Sequence, residues 1–170
     1  MTRRNFLMSG AALATTAIGG GFLFRSYSVN AAEGQFPVSL TPEEWRERLT
    51  PQQFAVLREE ATERPFSSEL NDNKQSGLYA CAGCDTPVYS SETKFDSGTG
   101  WPSFWAPLSD EAVATRTDYR LIYPRTEVHC ATCGGHLGHI FDDGPAPTGK
   151  RHCLNGVALA FRPGATQSAS

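Results

Sequence analysis

The chain has 170 residues, 39% of them hydrophobic and 19% charged, with a formal net charge of −3. That length suits one domain of ordinary globular composition and is short for two. The acidic balance argues against a nucleic-acid partner, which needs a basic face, and 16 Gly with 11 Pro point to a loop-rich, β-dominated fold.

Thr2-Arg3-Arg4-Asn5-Phe6-Leu7 resembles a twin-arginine export signal. A mildly apolar stretch follows from Phe6 to Phe24, loosened by glycines, and Val29-Asn30-Ala31 supplies small residues for a cleavage point. Residues 1–31 are therefore expected to be a signal peptide cut after Ala31 or Ala32, and the protein to be periplasmic or otherwise extracytoplasmic. An uncleaved membrane anchor is the alternative, because 19 residues nearly span a bilayer. Contact with a membrane is expected only in that case. Cleavage would lower the bases from 15 to 12 against 18 acids, a net charge of −6, and would remove both methionines, Met1 and Met8.

Residues 32–40 form a lead-in. Two short helices are expected next, because Thr41-Pro42-Glu43-Glu44 and Thr50-Pro51-Gln52-Gln53 each combine an N-cap, a first-turn proline and a capping-box acceptor. Phe54, Val56, Leu57 and Ala61 supply an apolar stripe. From Arg64 the texture changes to short β-like runs, with strands expected at Leu78–Ala80, Pro87–Tyr89, Leu121–Tyr123, Thr126–His129 and Val157–Phe161. The turns 96–100 and 142–149 are long enough to shape a site. The expected fold class is mainly β with short N-terminal helices (α+β), its sheets antiparallel, in one domain over 41–163 with a polar tail at 164–170.

Five cysteines divide into four and one. Cys81/Cys84 and Cys130/Cys133 are two C-x-x-C pairs separated by 45 residues, the spacing of a closed tetrahedral zinc site. One structural Zn2+ is the expected cofactor, with Gly83, Gly134 and Gly135 placed where the knuckles turn. Two disulfides are the rival arrangement in an oxidising compartment. Cys153 is left over in Arg151-His152-Cys153-Leu154-Asn155. In an extended backbone Arg151, Cys153 and Asn155 share one face and His152 takes the other. The nearby cation is expected to lower the thiol pKa, and Asn155 can donate to an oxygen of the group attacked.

Gly100-Trp101-Pro102-Ser103-Phe104, His136-Leu137-Gly138-His139, the Asp143–Gly149 loop and Arg151–Asn155 occur in that order around the two knuckles. Together these motifs resemble the methionine sulfoxide reductase B family, from about Thr41 to Pro163. The resemblance implies a barrel-like or Mss4-like fold stapled by zinc, and an oxidoreductase that returns methionine-R-sulfoxide in oxidised proteins or peptides to methionine. It also implies that Cys153 is the nucleophile and that Trp101 cradles the substrate methyl group. His136, His139 and Asn155 would surround the sulfoxide oxygen, with Arg151 and Asp143 in support. Phe104, Trp105 and Phe141 are read mainly as packing, with one of them a candidate to line the pocket.

Many family members carry a second, resolving cysteine in the Ser-Gly-x-Gly-Trp-Pro segment, where this chain has Thr99. The expectation is a one-cysteine cycle: Cys153 becomes a sulfenic acid that an extracytoplasmic thioredoxin-like dithiol reduces. A monomer is expected. Two other classes compete: a non-enzymatic zinc-ribbon-like interaction module, and a cysteine hydrolase pairing Cys153 with a histidine, for which His152 would point the wrong way.

Overall fold

The structure, a computed structural model, describes residues 36–164. The expected signal peptide, the first part of the lead-in and nearly all of the tail lie outside the described residues.

Helices α1 (Pro42–Arg48) and α2 (Pro51–Glu59) begin where their caps predict. Thr41 and Glu44 exchange side-chain-to-backbone bonds of 3.2 and 2.7 Å, and Thr50 and Gln53 exchange bonds of 3.2 and 3.0 Å. Each box satisfies two helix-end N–H groups that would otherwise lack partners, and loss of such a cap costs about 1 kcal/mol. The helices bury Trp45, Phe54, Val56 and Leu57. Leu57 and Trp45 lie over Gly83, and Leu57 also lies over Gly135, so the helix pair covers both cysteine knuckles.

Among the described residues nine strands follow: β1 (Gly77–Cys81), β2 (Pro87–Ser90), β3 (Lys94–Phe95), β4 (Ser103–Phe104), β5 (Val113–Asp118), β6 (Arg125–Cys130), β7 (His136–Phe141), β8 (Arg151–Leu154) and β9 (Leu159–Pro163). They form a three-stranded sheet in the order β2-β1-β9 and a six-stranded sheet in the order β3-β4-β8-β7-β6-β5, and all pairs are antiparallel. The sheets meet where Tyr79 of β1 and Tyr89 of β2 pack on Phe104 of β4, with ring centroids 5.0 and 4.7 Å apart. All three rings are fully buried. The mainly β, antiparallel class with two short helices is as expected.

Two local expectations change. Leu121–Tyr123 is not a strand but the tip of the β5–β6 hairpin, with Ile122 fully exposed. Its apolar run has a strand's composition, but Asp118 and Arg125 pair across the hairpin's base and leave 119–124 as the connection. At 157–161 a short 3-10 turn (Gly156–Ala158) precedes β9, which shifts that strand toward the C-terminus.

Candidate active site

The two knuckles bring four sulfurs together. Cys81 Sγ lies 3.7 Å from Cys133 Sγ and Cys84 Sγ 3.5 Å from Cys130 Sγ, and one ligand atom from each cysteine falls within 4.8 Å of the rest. A zinc tetrahedron with bonds of about 2.3 Å has sulfur–sulfur edges of about 3.8 Å, so the donor set and its spacing fit that ion. The short contacts run between knuckles and far exceed a disulfide bond of about 2.05 Å; all five cysteines are free. Three of the four sulfur ligands are buried and Cys84 is half-buried. Of the three knuckle glycines only Gly134 has a positive φ, 66°.

At the other end of the large sheet, side chains of one face line up strand by strand. Ser103 of β4 opposes Cys153 of β8, which opposes His139 of β7. His139 opposes Glu127 of β6, and Glu127 opposes Arg116 of β5. Directly opposed residues stand about 5 Å apart at Cβ, so the nucleophile candidate and a histidine are neighbours by register alone. The adjacent row places Arg151 opposite Phe141. His152 and Leu154 take the other face. His152 Nδ1 is 2.9 Å from the Tyr89 hydroxyl, in the core, so it is no partner for Cys153.

Above this row is a cavity of about 150 Å3 whose walls include Trp101, Arg125, His139, Phe141, Cys153 and Asn155. A cavity of that size holds a group about as large as benzene, and here that means one side chain. His139 Nε2 is 2.8 Å from Asp118 Oδ2. A carboxylate can only accept, so Nε2 donates and Nδ1 is left for chemistry. Burial lowers the His139 pKa, partly offset by that bond to Asp118. His136 is buried behind it, its ring 5.3 Å from that of His139, with Nδ1 donating to Glu127 at 2.7 Å and Nε2 unpartnered. The ion pair of Glu127 with Arg116, and that of Asp118 with Arg125, complete a charged layer beneath the two histidines.

Trp101, His139, Cys153 and Asn155 therefore share the cavity wall as the sequence suggested, whereas His136 stands behind His139. Arg151 and Asp143 form a two-bond pair at 2.9 and 3.0 Å. The Arg151 guanidinium lies 4.4 Å from the centroid of Phe141, so the pair braces a wall residue. Phe141, read mainly as packing, is itself part of the wall.

Two expectations need correction. Burial raises the Cys153 pKa, and this outweighs the lowering by Arg151 and by hydrogen bonds from Thr99, Arg151 and Ser103. The cation acts in the expected direction, but the net effect favours the thiol. Asn155 is also more engaged than expected: its Oδ1 accepts from the Glu63 N–H at 3.0 Å and its Nδ2 donates to the Leu137 carbonyl at 3.1 Å. Only the second amide proton remains for a substrate.

Glu63 had no signal in the sequence. Its carbonyl accepts from Trp101 Nε1 at 3.2 Å, and its N–H holds Asn155. Its buried carboxylate accepts from the backbone N–H groups of Gly156 and Val157. One residue thereby fixes two cavity walls. Asp118, Arg125 and Glu127 were likewise unmarked, because their roles depend on strand register.

A half-buried thiol beneath a side-chain-sized, partly aromatic cavity, opposed by a carboxylate-held histidine, is the arrangement of a thiol enzyme, here on a cysteine-stapled β frame. Residues 49–163 match the SelR domain. The peptide methionine sulfoxide reductase MsrB of Methanosarcina barkeri is 52% identical over 128 residues, covering 75% of this chain and 90% of that protein. MsrB of Leifsonia xyli subsp. xyli is 49% identical over 136 residues, covering 79% and 98%. The chloroplastic peptide methionine sulfoxide reductase B1 of Arabidopsis thaliana is 52% identical over 133 residues, covering 78% and 65%. The chain belongs to the methionine sulfoxide reductase B family and is an oxidoreductase.

Proposed function

We propose that the protein reduces methionine-R-sulfoxide in peptides and oxidised proteins, with Cys153 as nucleophile. The observation that carries this reading is the cross-strand opposition of Cys153 and His139 at the base of a cavity walled by Trp101. The sulfoxide side chain enters beside Trp101, whose indole covers its methyl group, and the oxygen faces His139. Because burial keeps Cys153 protonated, the thiol supplies the proton that the reaction needs. As the sulfur attacks, that proton passes through His139 Nδ1 to the sulfoxide oxygen, an acid–base role suited to imidazole. The sulfur–oxygen bond of the substrate breaks, the oxygen is retained on Cys153 as a sulfenic acid, and methionine leaves. Thiol plus sulfoxide equals sulfenic acid plus thioether, so atoms and electrons balance.

Thr99 Oγ1 lies 3.9 Å from Cys153 Sγ, so the residue beside the new sulfenic acid has no thiol. An external dithiol of the thioredoxin class then condenses with it, releases water and restores the thiol as its own disulfide forms. Cys81, Cys84, Cys130 and Cys133 would hold zinc as a closed structural ion, which supplies folding free energy and no chemistry at the cavity. Residues 1–31 are read as a twin-arginine signal, cleaved to leave a monomeric extracytoplasmic enzyme whose reductant shares that compartment. The apolar-segment pattern and the paired arginines support this, and N-terminal sequencing of the exported protein tests it, an intact Met1 being the adverse result.

The decisive assay offers each epimer of a methionine sulfoxide peptide with a dithiol to the wild type and to Cys153→Ser. Turnover of the R epimer, lost in the variant with fold and metal content retained, is expected. Turnover of the S epimer alone would overturn the assignment.

A further inference from the structure

Among the described residues the exposed large hydrophobic side chains are Phe66, Tyr119, Leu121, Ile122 and Tyr123. Every one belongs to a segment that frames the cavity. Four form the tip of the β5–β6 hairpin. The base of that hairpin is Asp118, which holds His139, paired with Arg125, which is itself a wall. The fifth, Phe66, borders the Trp101 wall through Gly100. Its N–H donates to the Gly100 carbonyl at 2.7 Å, and its ring lies so close over Gly100 that a Cβ there would meet it at 2.8 Å. Trp101 follows directly.

Phe66 carries a second signal. Its φ is 62°, in the left-handed region that a bulky residue adopts only at a cost in backbone free energy. A strained backbone holding an aromatic ring 71% exposed gains little from burial in the free protein. The cavity supplies the missing term. With room for one side chain, it forces the substrate's main chain to cross its mouth, so the residues flanking the oxidised methionine must pass the Phe66 ring and the hairpin tip.

We propose that Phe66 and the tip residues Leu121, Ile122 and Tyr123 form two apolar lips that bind apolar side chains adjacent to the methionine sulfoxide in an extended peptide. This rests on the reductase reading and adds a flank preference to it.

The test compares three R-sulfoxide substrates with the metal-loaded enzyme: the N-acetyl amino acid, a pentapeptide with Phe and Leu flanking the sulfoxide, and the same peptide with Ser at both flanks. The wild type is expected to favour the apolar peptide over the Ser peptide by about tenfold in kcat/KM, chiefly through KM, as partial burial of one apolar side chain provides. Leu121→Ser/Ile122→Ser and Phe66→Gly should each shrink that ratio toward one and leave turnover of the N-acetyl amino acid unchanged. Glycine tolerates the positive φ, so Phe66→Gly relieves strain and keeps the fold. Equal wild-type kcat/KM for the two peptides overturns the proposal, as does a parallel loss on all three substrates in both variants. Loss of sedimentation with phosphatidylglycerol vesicles in the hairpin variant, with the peptide ratio intact, would assign the tip to a membrane instead. No turnover of any substrate by wild type would sink the reductase reading and this inference together.

Discussion

Glu63→Ala should cost this protein a large part of its stability, though among the described residues its carboxylate hydrogen-bonds only to backbone N–H groups. The carboxylate accepts from the Gly156 N–H and, at 3.0 Å, from the Val157 N–H, and Glu63 is 6% exposed. Hydrogen bonds to a charged acceptor contribute about 1.5–3 kcal/mol each, and a buried donor left without a partner loses its solvation besides. Val157 is half-buried, so water can replace part of its bond. The expected loss is about 3–5 kcal/mol, against a typical net stability of about 5–15 kcal/mol. Glu63→Gln keeps one acceptor and sets an amide N–H against the other donor, so it should lose about half as much. Urea unfolding with metal present, followed by fluorescence of Trp45, Trp101 and Trp105, reads both variants. Activity should fall further than stability predicts, because the main chain at 63 also holds Trp101 and Asn155. A loss below about 1 kcal/mol in Glu63→Ala would show that water satisfies both donors and would refute the reasoning.

Three further outcomes are expected. Burial lowers the His152 pKa to about 4; the unfolded chain, near 6.5, then binds more protons between those values, and stability falls as pH drops through that window by about 3 kcal/mol. Acid unfolding of His152→Gln should be flatter there, and an unchanged slope would remove His152 as the cause. Thr99→Cys should convert the sulfenic acid to a 99–153 disulfide after one turnover without reductant, since the hydroxyl it replaces lies 3.9 Å from Cys153 Sγ; a mass spectrum still showing the sulfenic acid would contradict the geometry. A strong chelator, or Cys130→Ala, should release one zinc per chain and lower the melting temperature by tens of degrees, as loss of a structural ion worth about 10 kcal/mol requires. Melting that is indifferent to the chelator would count against the metal reading.

Local signals in the sequence were the reliable ones. Both helix starts are visible because a capping box closes within four residues, and the knuckles are visible because each C-x-x-C is itself a turn. β5 gives no strand signal because Val113–Asp118 is an edge strand that alternates exposed threonines with the charged Arg116 and Asp118 of the site face, and Leu121–Tyr123 reads as a strand because composition cannot tell a solvent-facing hairpin tip from one. At the site, the face shared by Arg151 and Cys153 followed from alternation alone. The partners that set the behaviour of His139 and Asn155 did not, since Asp118 and Glu63 are 21 and 92 residues away and are brought there by sheet register and chain return. The sign of the Cys153 shift failed for the same reason: a neighbouring cation is visible in sequence, and the depth of burial is not.

The knuckle at Cys130–Cys133 is also the turn that joins β6 to β7, and those two strands present Glu127, His136 and His139. Oxidation of any of the four knuckle sulfurs would therefore loosen the turn that positions His139 and His136 as well as the cysteine cluster. An enzyme that reverses oxidative damage would then have a ceiling on the peroxide dose it survives. Cys84, the least buried of the four, would be the first of them that an oxidant reaches.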